Sequence, residues 1–258
     1  MGQAEPQQPR DQLGGEPLTL LFFFDVLGFS ERVREIGLTA IYREYERLVK
    51  LVDSISITPV LTSEAVGDTG AMIPVSFVMP WEAAYFSDTI LLWTPFPSPL
   101  VLDPATAVAR QFFCECLANG LPLRGAMAAG PAVMDKTRGI FLGEPIVDAA
   151  RAEAAQRSAG IGVARSWGQH RYYDGSLGRA DSHLPYTKHI KPGREEVLCS
   201  LALDWPRTWR ESPHLASRSL DAIIDGYSRP GFEHYWQATH DFVDFSASNP
   251  AWWTAPPP

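Results

Sequence analysis

Residues 18–30 read LTLLFFFDVLGFS and place a carboxylate at the end of an apolar run. Residues 18–24 are continuous in Leu and Phe rather than alternating with polar residues, so they predict a strand that is buried on both faces. Gly28 predicts a tight turn after this strand, and Ser30 is placed to cap the amino end of a following helix. We therefore expect a strand, a turn and a helix to open the domain, with Asp25 where they meet.

The other apolar patterns predict an α/β domain with a mainly antiparallel sheet, helices packed against it, and the element order βαββαββαβ. The predicted elements after the first strand are a helix over residues 30–52, strands at 72–79 and 85–93, a helix at 104–117 capped by Asp103, strands at 124–133 and 140–141, a helix from Pro145 to a terminating Gly160, and a strand at 161–164. Residues 197–203 predict a further, late strand.

Length and charge limit the possible functions. The 258 residues predict one domain at 17–245, between a flexible polar segment at 1–16 and a Trp- and Pro-rich tail at 246–258. A net charge of −8 leaves no broad basic face for a nucleic acid or an anionic membrane. The apolar run that stops at Asp25 is far shorter than the roughly 18–20 residues of a membrane span. With no signal-peptide pattern and no C-x-x-C among three cysteines, the expected location is the cytoplasm.

Asp25 and Asp88 are the candidate metal ligands. Asp25 ends the buried strand at a turn with unpaired backbone amides, an arrangement that suits a metal-bound polyphosphate. Asp88, in FSDTILL at residues 86–92, lies where a strand begins or turns and brings a second carboxylate beside the first. Two carboxylates and the main-chain carbonyl of Val26 form a ligand set for Mg²⁺ or Mn²⁺. Each aspartate also has a purely structural explanation, Asp25 as a helix cap and Asp88 as a turn residue.

Four short motifs resemble those of the class III nucleotidyl cyclases, the adenylate and guanylate cyclases, and occur in the family's order over about residues 18–164. They are FFFDVLGFS at 22–30, FSDTILL at 86–92, the span from RG at 124–125 to GP at 130–131, and GEPIVDAAR at 143–151. The resemblance implies that Asp25 and Asp88 bind two Mg²⁺ or Mn²⁺ ions and that Val26 contributes its carbonyl. It also implies that Phe29 and Ser30 lie in the phosphate-binding turn.

The same resemblance assigns a catalytic role to Arg151, which matches the family's arginine that stabilises charge on the α-phosphate. The alternative is an exposed helical arginine paired with Asp148 three residues earlier. In the family, the metal carboxylates come from one subunit and the arginine from the other, so the resemblance implies a homodimer with sites at the interface. The implied reaction is attack of the ribose 3′-hydroxyl with departure of pyrophosphate, without a covalent enzyme intermediate.

Departures from the purine cyclases point to a pyrimidine substrate. Ala84 and Ile140 stand where those enzymes carry base-reading side chains, and neither forms a hydrogen bond to a base edge. Val147 stands at the position of the ribose-orienting asparagine, so that role is lost or passes to Asp148. The remaining pattern resembles the pyrimidine cyclases of bacterial Pycsar antiphage systems, which implies that cyclic UMP or cyclic CMP signals infection to a separate effector. We expect UTP as substrate, with the hydroxyl of Tyr45 at the base.

Alternatives to this interpretation remain open. CTP is the alternative substrate, and the alternative role of Tyr42 and Tyr45 is that of partial core residues instead of base contacts. A haloacid-dehalogenase-type phosphatase also places an aspartate after an apolar strand, but its usual second acid is replaced here by Leu27. A catalytically degenerate cyclase-like module that binds nucleotide or only dimerises is favoured by Val147 and disfavoured by the two aspartates.

Overall fold

The computed structural model describes residues 18–56, 59–66, 71–78, 81–94, 99–168 and 183–249. The strands are β1 (Leu18–Val26), β2 (Pro59–Val66), β3 (Ala71–Val78), β4 (Glu82–Phe86), β5 (Thr89–Thr94), β6 (Leu123–Asp135), β7 (Ile140–Gly143), β8 (Gly160–Ala164), β9 (His183–Leu184) and β10 (Leu198–Leu203). The helices are α1 (Phe29–Ile36), α2 (Leu38–Ser56), α3 (Pro99–Ala118), α4 (Glu144–Ala154), α5 (Arg165–Gly168), α6 (Trp205–Glu211), α7 (Pro213–Ala216), α8 (Leu220–Asp225) and α9 (Glu233–Ser248). The predicted flexible segment at 1–16 lies outside the described residues, as do residues 250–258 of the predicted tail.

The main sheet has the strand order β4-β5-β1-β6-β8-β10-β9, and β7 pairs with β6. Its pairings are antiparallel except for the parallel pair of β6 and β8. Strands β2 and β3 form a separate antiparallel hairpin. The prediction of an α/β fold with a mainly antiparallel sheet is therefore confirmed, and every predicted element has a counterpart in the predicted order.

Strand β1 lies inside the sheet, between β5 and β6, and both of its faces are covered. Phe22 and Phe24 belong to one buried cluster, in which Phe24 packs against Phe112 of α3 with ring centroids 5.4 Å apart. Leu21 points to the other face and belongs to a second cluster with Ala149 of α4. The apolar run of β1 is continuous because both faces of the strand are buried, as its sequence predicted.

The turn after β1 differs from its prediction. The N-cap of α1 is Gly28 at φ 70°, with no side-chain cap, so the predicted capping role of Ser30 is wrong and Ser30 lies inside the first turn. The predicted single helix is also divided, because Gly37 at φ 79° ends α1 before α2 begins. A glycine adopts this left-handed conformation without the steric cost that a side chain would impose.

The predicted strand at 85–93 is in fact the hairpin of β4 and β5, which turns at Ser87 and Asp88. Ser87 has φ 54°, the one positive φ at a residue other than glycine in the described part of the chain. Two-residue hairpin turns are usually marked by Gly or Asn, and the pair Ser-Asp lacks that signal. The prediction that Asp88 lies where a strand begins or turns is confirmed.

Several helix boundaries also differ. Helix α3 begins at Pro99, so the predicted cap Asp103 and first residue Pro104 lie within it. Helix α4 ends at Ala154, and Gly160 begins β8 instead of terminating the helix. Helices α6 to α9, which follow β10, were not predicted. Within the described ranges, no helix combines the length and the apolar character that crossing a bilayer requires.

Candidate functional site

The structure brings Asp25 and Asp88 together at one end of β1. Asp25 pairs across the sheet with Thr89, the residue after Asp88. The next residue, Val26, donates its backbone N–H to the carbonyl of Asp88 over 2.8 Å. The two carboxylate-bearing residues are therefore held by the pairing of β1 with the β4–β5 hairpin.

The electrostatic environment of Asp25 opposes its negative charge. Burial is the largest cause and, with the nearby charges of Glu153 and Asp88, raises the pKa of Asp25 to about 6, although Arg124 lowers it. A cation bound between Asp25 and Asp88 would relieve this unfavourable charge, so the two carboxylates fit a hard divalent ion. Among the described residues, no group of three or more His, Cys, Asp or Glu side chains is placed to hold a metal. The candidate metal ligands that the structure brings together are therefore the carboxylates of Asp25 and Asp88.

Two charged residues not proposed from the sequence adjoin Asp25. Arg124 of β6 pairs with Asp25 across the sheet, and its guanidinium lies 3.9 Å from the Asp25 Oδ2 atom. The same guanidinium donates a hydrogen bond to Glu153 of α4, whose side chain is 7% exposed. Burial raises the pKa of Glu153, and Arg124 opposes that rise. The RG dipeptide at 124–125 belongs to one of the four motifs, but nothing in the sequence around it indicates a contact with Asp25.

Arg151 lies away from this cluster. Glu153 faces the sheet, and Arg151, two residues earlier on α4, lies about 200° away around the helix axis and is exposed. Within the described ranges, the i,i+3 ion pairs are Arg34–Glu31 and Arg138–Asp135, and Arg151 forms none with Asp148. Within a single chain, Arg151 therefore contacts neither Asp25 nor Asp148, the partner that the alternative interpretation gives it.

The turn at the start of α1 offers fewer free amides than predicted. The N–H of Val26 bonds to the Asp88 carbonyl, and that of Leu27 bonds to the carbonyl of Pro122 over 2.9 Å. The N–H groups of the first helical turn, which begins with Phe29 and Ser30, have no partner within the helix. The predicted phosphate-binding residues therefore lie in the part of the turn that still offers donors.

A groove lies beside this turn, between α2 and the β4–β5 hairpin. We name it the Tyr45 groove; it has a volume of about 800 Å³, and its lining includes Phe29, Tyr42, Tyr45, Tyr85 and Ser87. This volume is within the roughly 300–1,000 Å³ typical of small-molecule sites. The Tyr45 hydroxyl donates to the Ser87 carbonyl over 2.6 Å. The hydroxyl proton is therefore used in this hydrogen bond, and the hydroxyl oxygen remains available as an acceptor.

The two predicted base-facing positions lie in different surroundings. Ala84 of β4 is buried and belongs to the cluster that packs against α4. Ile140, the first residue of β7, is 43% exposed. Val147, at the position of the ribose-orienting asparagine, is 48% exposed on α4. Of these residues, Ala84 is enclosed within the chain itself, and the other two face outward.

No protein-family model and no curated protein matches this chain. Among solved structures, the catalytic core of a rhodopsin-guanylyl cyclase with converted specificity, in complex with ATPαS, aligns at 10% identity and TM-score 0.44 over 73% of this chain and 94% of its own. A bacterial light-regulated adenylyl cyclase aligns at 12% identity and TM-score 0.36 over 60% of this chain and 79% of its own. A class III adenylyl cyclase-like ATP-binding protein from Pseudomonas aeruginosa aligns at 11% identity and TM-score 0.37 over 90% of this chain and 44% of its own. At these values, no property of the three proteins is transferred to this chain.

Proposed function

We propose that the protein is a homodimeric nucleotidyl cyclase that converts UTP to 3′,5′-cyclic UMP and pyrophosphate. The observation that carries the proposal is the juxtaposition of Asp25 and Asp88 between a groove of nucleoside size and the open start of α1. The cyclase-like order of the sequence motifs supports the same activity. The resemblance to Pycsar cyclases supports a role for the product as an infection signal that a separate effector binds.

Asp25 and Asp88, with the Val26 carbonyl, are the residues that would hold two Mg²⁺ or Mn²⁺ ions. When bound, such ions lower the pKa of the attacking ribose hydroxyl and neutralise phosphate charge. Arg124 orients the Asp25 carboxylate from the opposite strand, and Glu153 holds the Arg124 guanidinium in place. The backbone N–H groups at Phe29 and Ser30 donate hydrogen bonds to phosphate oxygens at the start of α1.

The Tyr45 groove is the proposed site of the base. Its aromatic lining provides stacking surfaces, and it adjoins the turn that carries Asp88. Because the Tyr45 hydroxyl donates its proton to the Ser87 carbonyl, its oxygen accepts from the N3–H of uracil. It cannot donate to the unprotonated N3 of cytosine, which could approach this oxygen only with its 4-amino group. This difference supports UTP over CTP.

In the proposed homodimer, the exposed Arg151 acts in the site of the partner subunit instead of its own. Val133 of β6 and Leu142 of β7 are paired in register and are 57% and 61% exposed, so they form an apolar strip on one face of the hairpin. Ile140, two residues from Leu142, extends that strip. We infer that a second copy covers this strip and that, in the dimer, Arg151 of one subunit contributes to the site that contains Asp25 of the other.

Incubation of the purified protein with each of the four ribonucleoside triphosphates and Mg²⁺ or Mn²⁺, followed by mass spectrometry, tests the proposal. We expect cyclic UMP as the predominant product in an equimolar competition. Predominant cyclic AMP or cyclic GMP would contradict the pyrimidine assignment, and predominant cyclic CMP would contradict only the choice of uracil.

The second candidate is a degenerate module that binds nucleotide without turnover. The exposed, apolar Val147 favours it, because this side chain offers no hydrogen bond to a ribose hydroxyl. The same assay separates the candidates: binding of UTP in calorimetry without any cyclic product, with either metal, would support the degenerate module.

A further inference from the structure

A second cleft, lined by other residues than the Tyr45 groove, also adjoins the start of α1. We name it the Arg229 cleft; it has a volume of about 230 Å³ and lies between the Gly28 turn, Arg124 and the segment from Tyr227 to Trp236. This volume is below the roughly 300 Å³ at which small-molecule sites begin, so it suits a small ion better than a nucleoside. Arg124 contributes to its wall and lies 3.9 Å from Asp25, so the cleft adjoins the candidate metal site.

Among the charged side chains that line the cleft, cationic ones outnumber acidic ones. Arg32, Arg124 and Arg229 contribute to it, with Glu31 as the acidic residue. Each arginine is paired with a glutamate: Arg32 with Glu44 at 2.6 Å, Arg124 with Glu153, and Arg229 with Glu35 at 3.0 Å. A guanidinium has five N–H donors, and one carboxylate accepts at most two of them in a fork, so each arginine keeps donors for a further anion.

The Tyr235 hydroxyl provides an independent observation. Tyr235 is 9% exposed and lines the cleft, and its hydroxyl is buried beside Arg124 without a hydrogen bond of normal geometry. Burial raises the pKa of Tyr235, so the hydroxyl keeps its proton and is a donor. A buried donor without a partner is costly unless a ligand or water accepts from it.

The wall that carries Arg229 is anchored to the rest of the protein. The Tyr227 hydroxyl donates to the Leu117 carbonyl over 2.8 Å, and its ring stacks on Trp236 at 5.4 Å. The Arg229–Glu35 pair ties the same segment to α1. Because these contacts exist without a ligand, the donors of this wall are held in position before binding.

We propose that the Arg229 cleft binds a diphosphate group through Arg229, Arg124 and the Tyr235 hydroxyl. This rests on the proposed function for the source of the ligand, which is the β,γ-phosphates of the substrate or the pyrophosphate that leaves. The nucleoside lies in the Tyr45 groove, the α-phosphate at the aspartates, and the diphosphate beyond them. The C-terminal helical region therefore forms one side of the substrate site.

Calorimetric titration of the full-length protein with inorganic pyrophosphate, in EDTA and in Mg²⁺, tests the cleft directly. We expect Arg229→Ala to weaken pyrophosphate affinity about 10-fold in the metal-free titration, the loss typical of one charge-assisted hydrogen bond. Tyr235→Phe keeps the ring that packs edge-on against Trp236 and is expected to weaken affinity several-fold. Titration with uridine monophosphate, which lacks a diphosphate, is expected to be unaffected by either change.

Glu35→Gln is the matched control, because it removes the same ion pair but keeps the cation. Unchanged or tighter pyrophosphate binding by Glu35→Gln, beside weaker binding by Arg229→Ala, supports the proposal. Equal weakening by both variants overturns it, because Arg229 then acts only through its ion pair. Parent-like affinity of Arg229→Ala, or no pyrophosphate binding by the parent in EDTA, also overturns it. If the variants show the supporting pattern but the parent protein makes no cyclic nucleotide, the cleft is a diphosphate site and the proposed cyclase function is wrong.

Discussion

Asp25 experiences two opposed influences, since burial disfavours its charge and Arg124 favours it. Burial dominates, and the pKa of the carboxyl rises to about 6 from its ordinary value of 3.8. A folded-state pKa above the unfolded value means that the folded protein binds this proton more tightly. The stability due to this proton is present below about pH 4 and is lost as the pH rises through 6.

The variant Asp25→Asn is therefore expected to stabilise the metal-free protein at pH 8 and to have little effect at pH 4. A shift of about two pKa units corresponds to about 3 kcal/mol, and partial solvent screening reduces the expected gain to on the order of 1–2 kcal/mol. Thermal unfolding in EDTA at both pH values measures it. Added Mn²⁺ should raise the unfolding temperature of the parent and not that of the variant. A lower unfolding temperature of the variant at pH 8 would contradict this account.

The buried ion pair between Arg124 and Glu153 is expected to stabilise the folded protein. Glu153→Gln removes the nearer counter-charge of a largely buried guanidinium and leaves only Asp25, 3.9 Å away, so we expect the free energy of unfolding to fall by about 3 kcal/mol. Chemical denaturation at pH 7 measures the loss. The matched control is Glu82→Gln, which removes an exposed ion pair with Lys136 and should change stability by less than about 1 kcal/mol. Equal losses in both variants would show that burial of the first pair has no energetic effect.

The contact between β1 and β6 depends on a glycine. A Cβ atom on Gly125 would lie 2.7 Å from the Phe23 carbonyl oxygen and would overlap the Phe24 ring. The Gln156 side-chain amide also donates to the Gly125 carbonyl over 2.6 Å, which ties the end of α4 to β6. The two strands that carry Asp25 and Arg124 can thus approach closely because this position has no side chain.

Gly125→Ala is expected to destabilise the protein by about 1–3 kcal/mol, because overpacking at a sheet interior forces the backbone apart. Gly37→Ala is the comparison, since nothing lies within 4 Å of its added Cβ and only the positive φ of 79° is strained. Its expected cost is about 1–2 kcal/mol, at or below that of the overpacked position. Denaturant unfolding of both variants measures the difference, and a larger loss for Gly37→Ala would contradict the close approach of the strands.

The proposed homodimer makes a prediction that belongs to the assembly. Arg151→Ala is expected to lower turnover by roughly 10²–10³-fold, and Asp25→Asn should abolish it. If each site combines Asp25 of one subunit with Arg151 of the other, mixing the two variants restores one site in each heterodimer, or about one quarter of the parental activity after random exchange.

Arg138→Ala is the control for loss of an exposed arginine, because Arg138 pairs only locally, with Asp135. Its activity should stay within a few-fold of the parent. Absence of recovery in the Arg151→Ala and Asp25→Asn mixture, under conditions where labelled subunits demonstrably exchange, would contradict a shared site.

Local patterns in the sequence predicted elements that each have a counterpart in the fold, but not β2, β9 or helices α5 to α9. They also placed Asp25 at a strand end and Asp88 at a turn, and the resemblance to the cyclases suggested that the two meet. The continuous apolar run of β1 has only one favourable environment, burial on both faces, so its central place in the sheet followed from composition. The position of Asp88 at a turn also followed, although the hairpin itself did not. The two-residue loop of this hairpin requires a positive φ at Ser87, and the sequence has neither Gly nor Asn there to indicate such a turn.

Contacts between distant parts of the chain were decided by the tertiary structure alone. Asp25 meets Arg124 because β1 and β6 pair in one particular register, and Arg124 meets Glu153 because α4 packs on that sheet. Arg229 meets Glu35 of α1 only because the segment that follows α8 packs back against that helix. The periodicity of apolar residues indicates which side of a helix or strand is buried. It does not indicate which distant helix or strand packs against that side. That choice depends on how well the side chains of the two elements pack together.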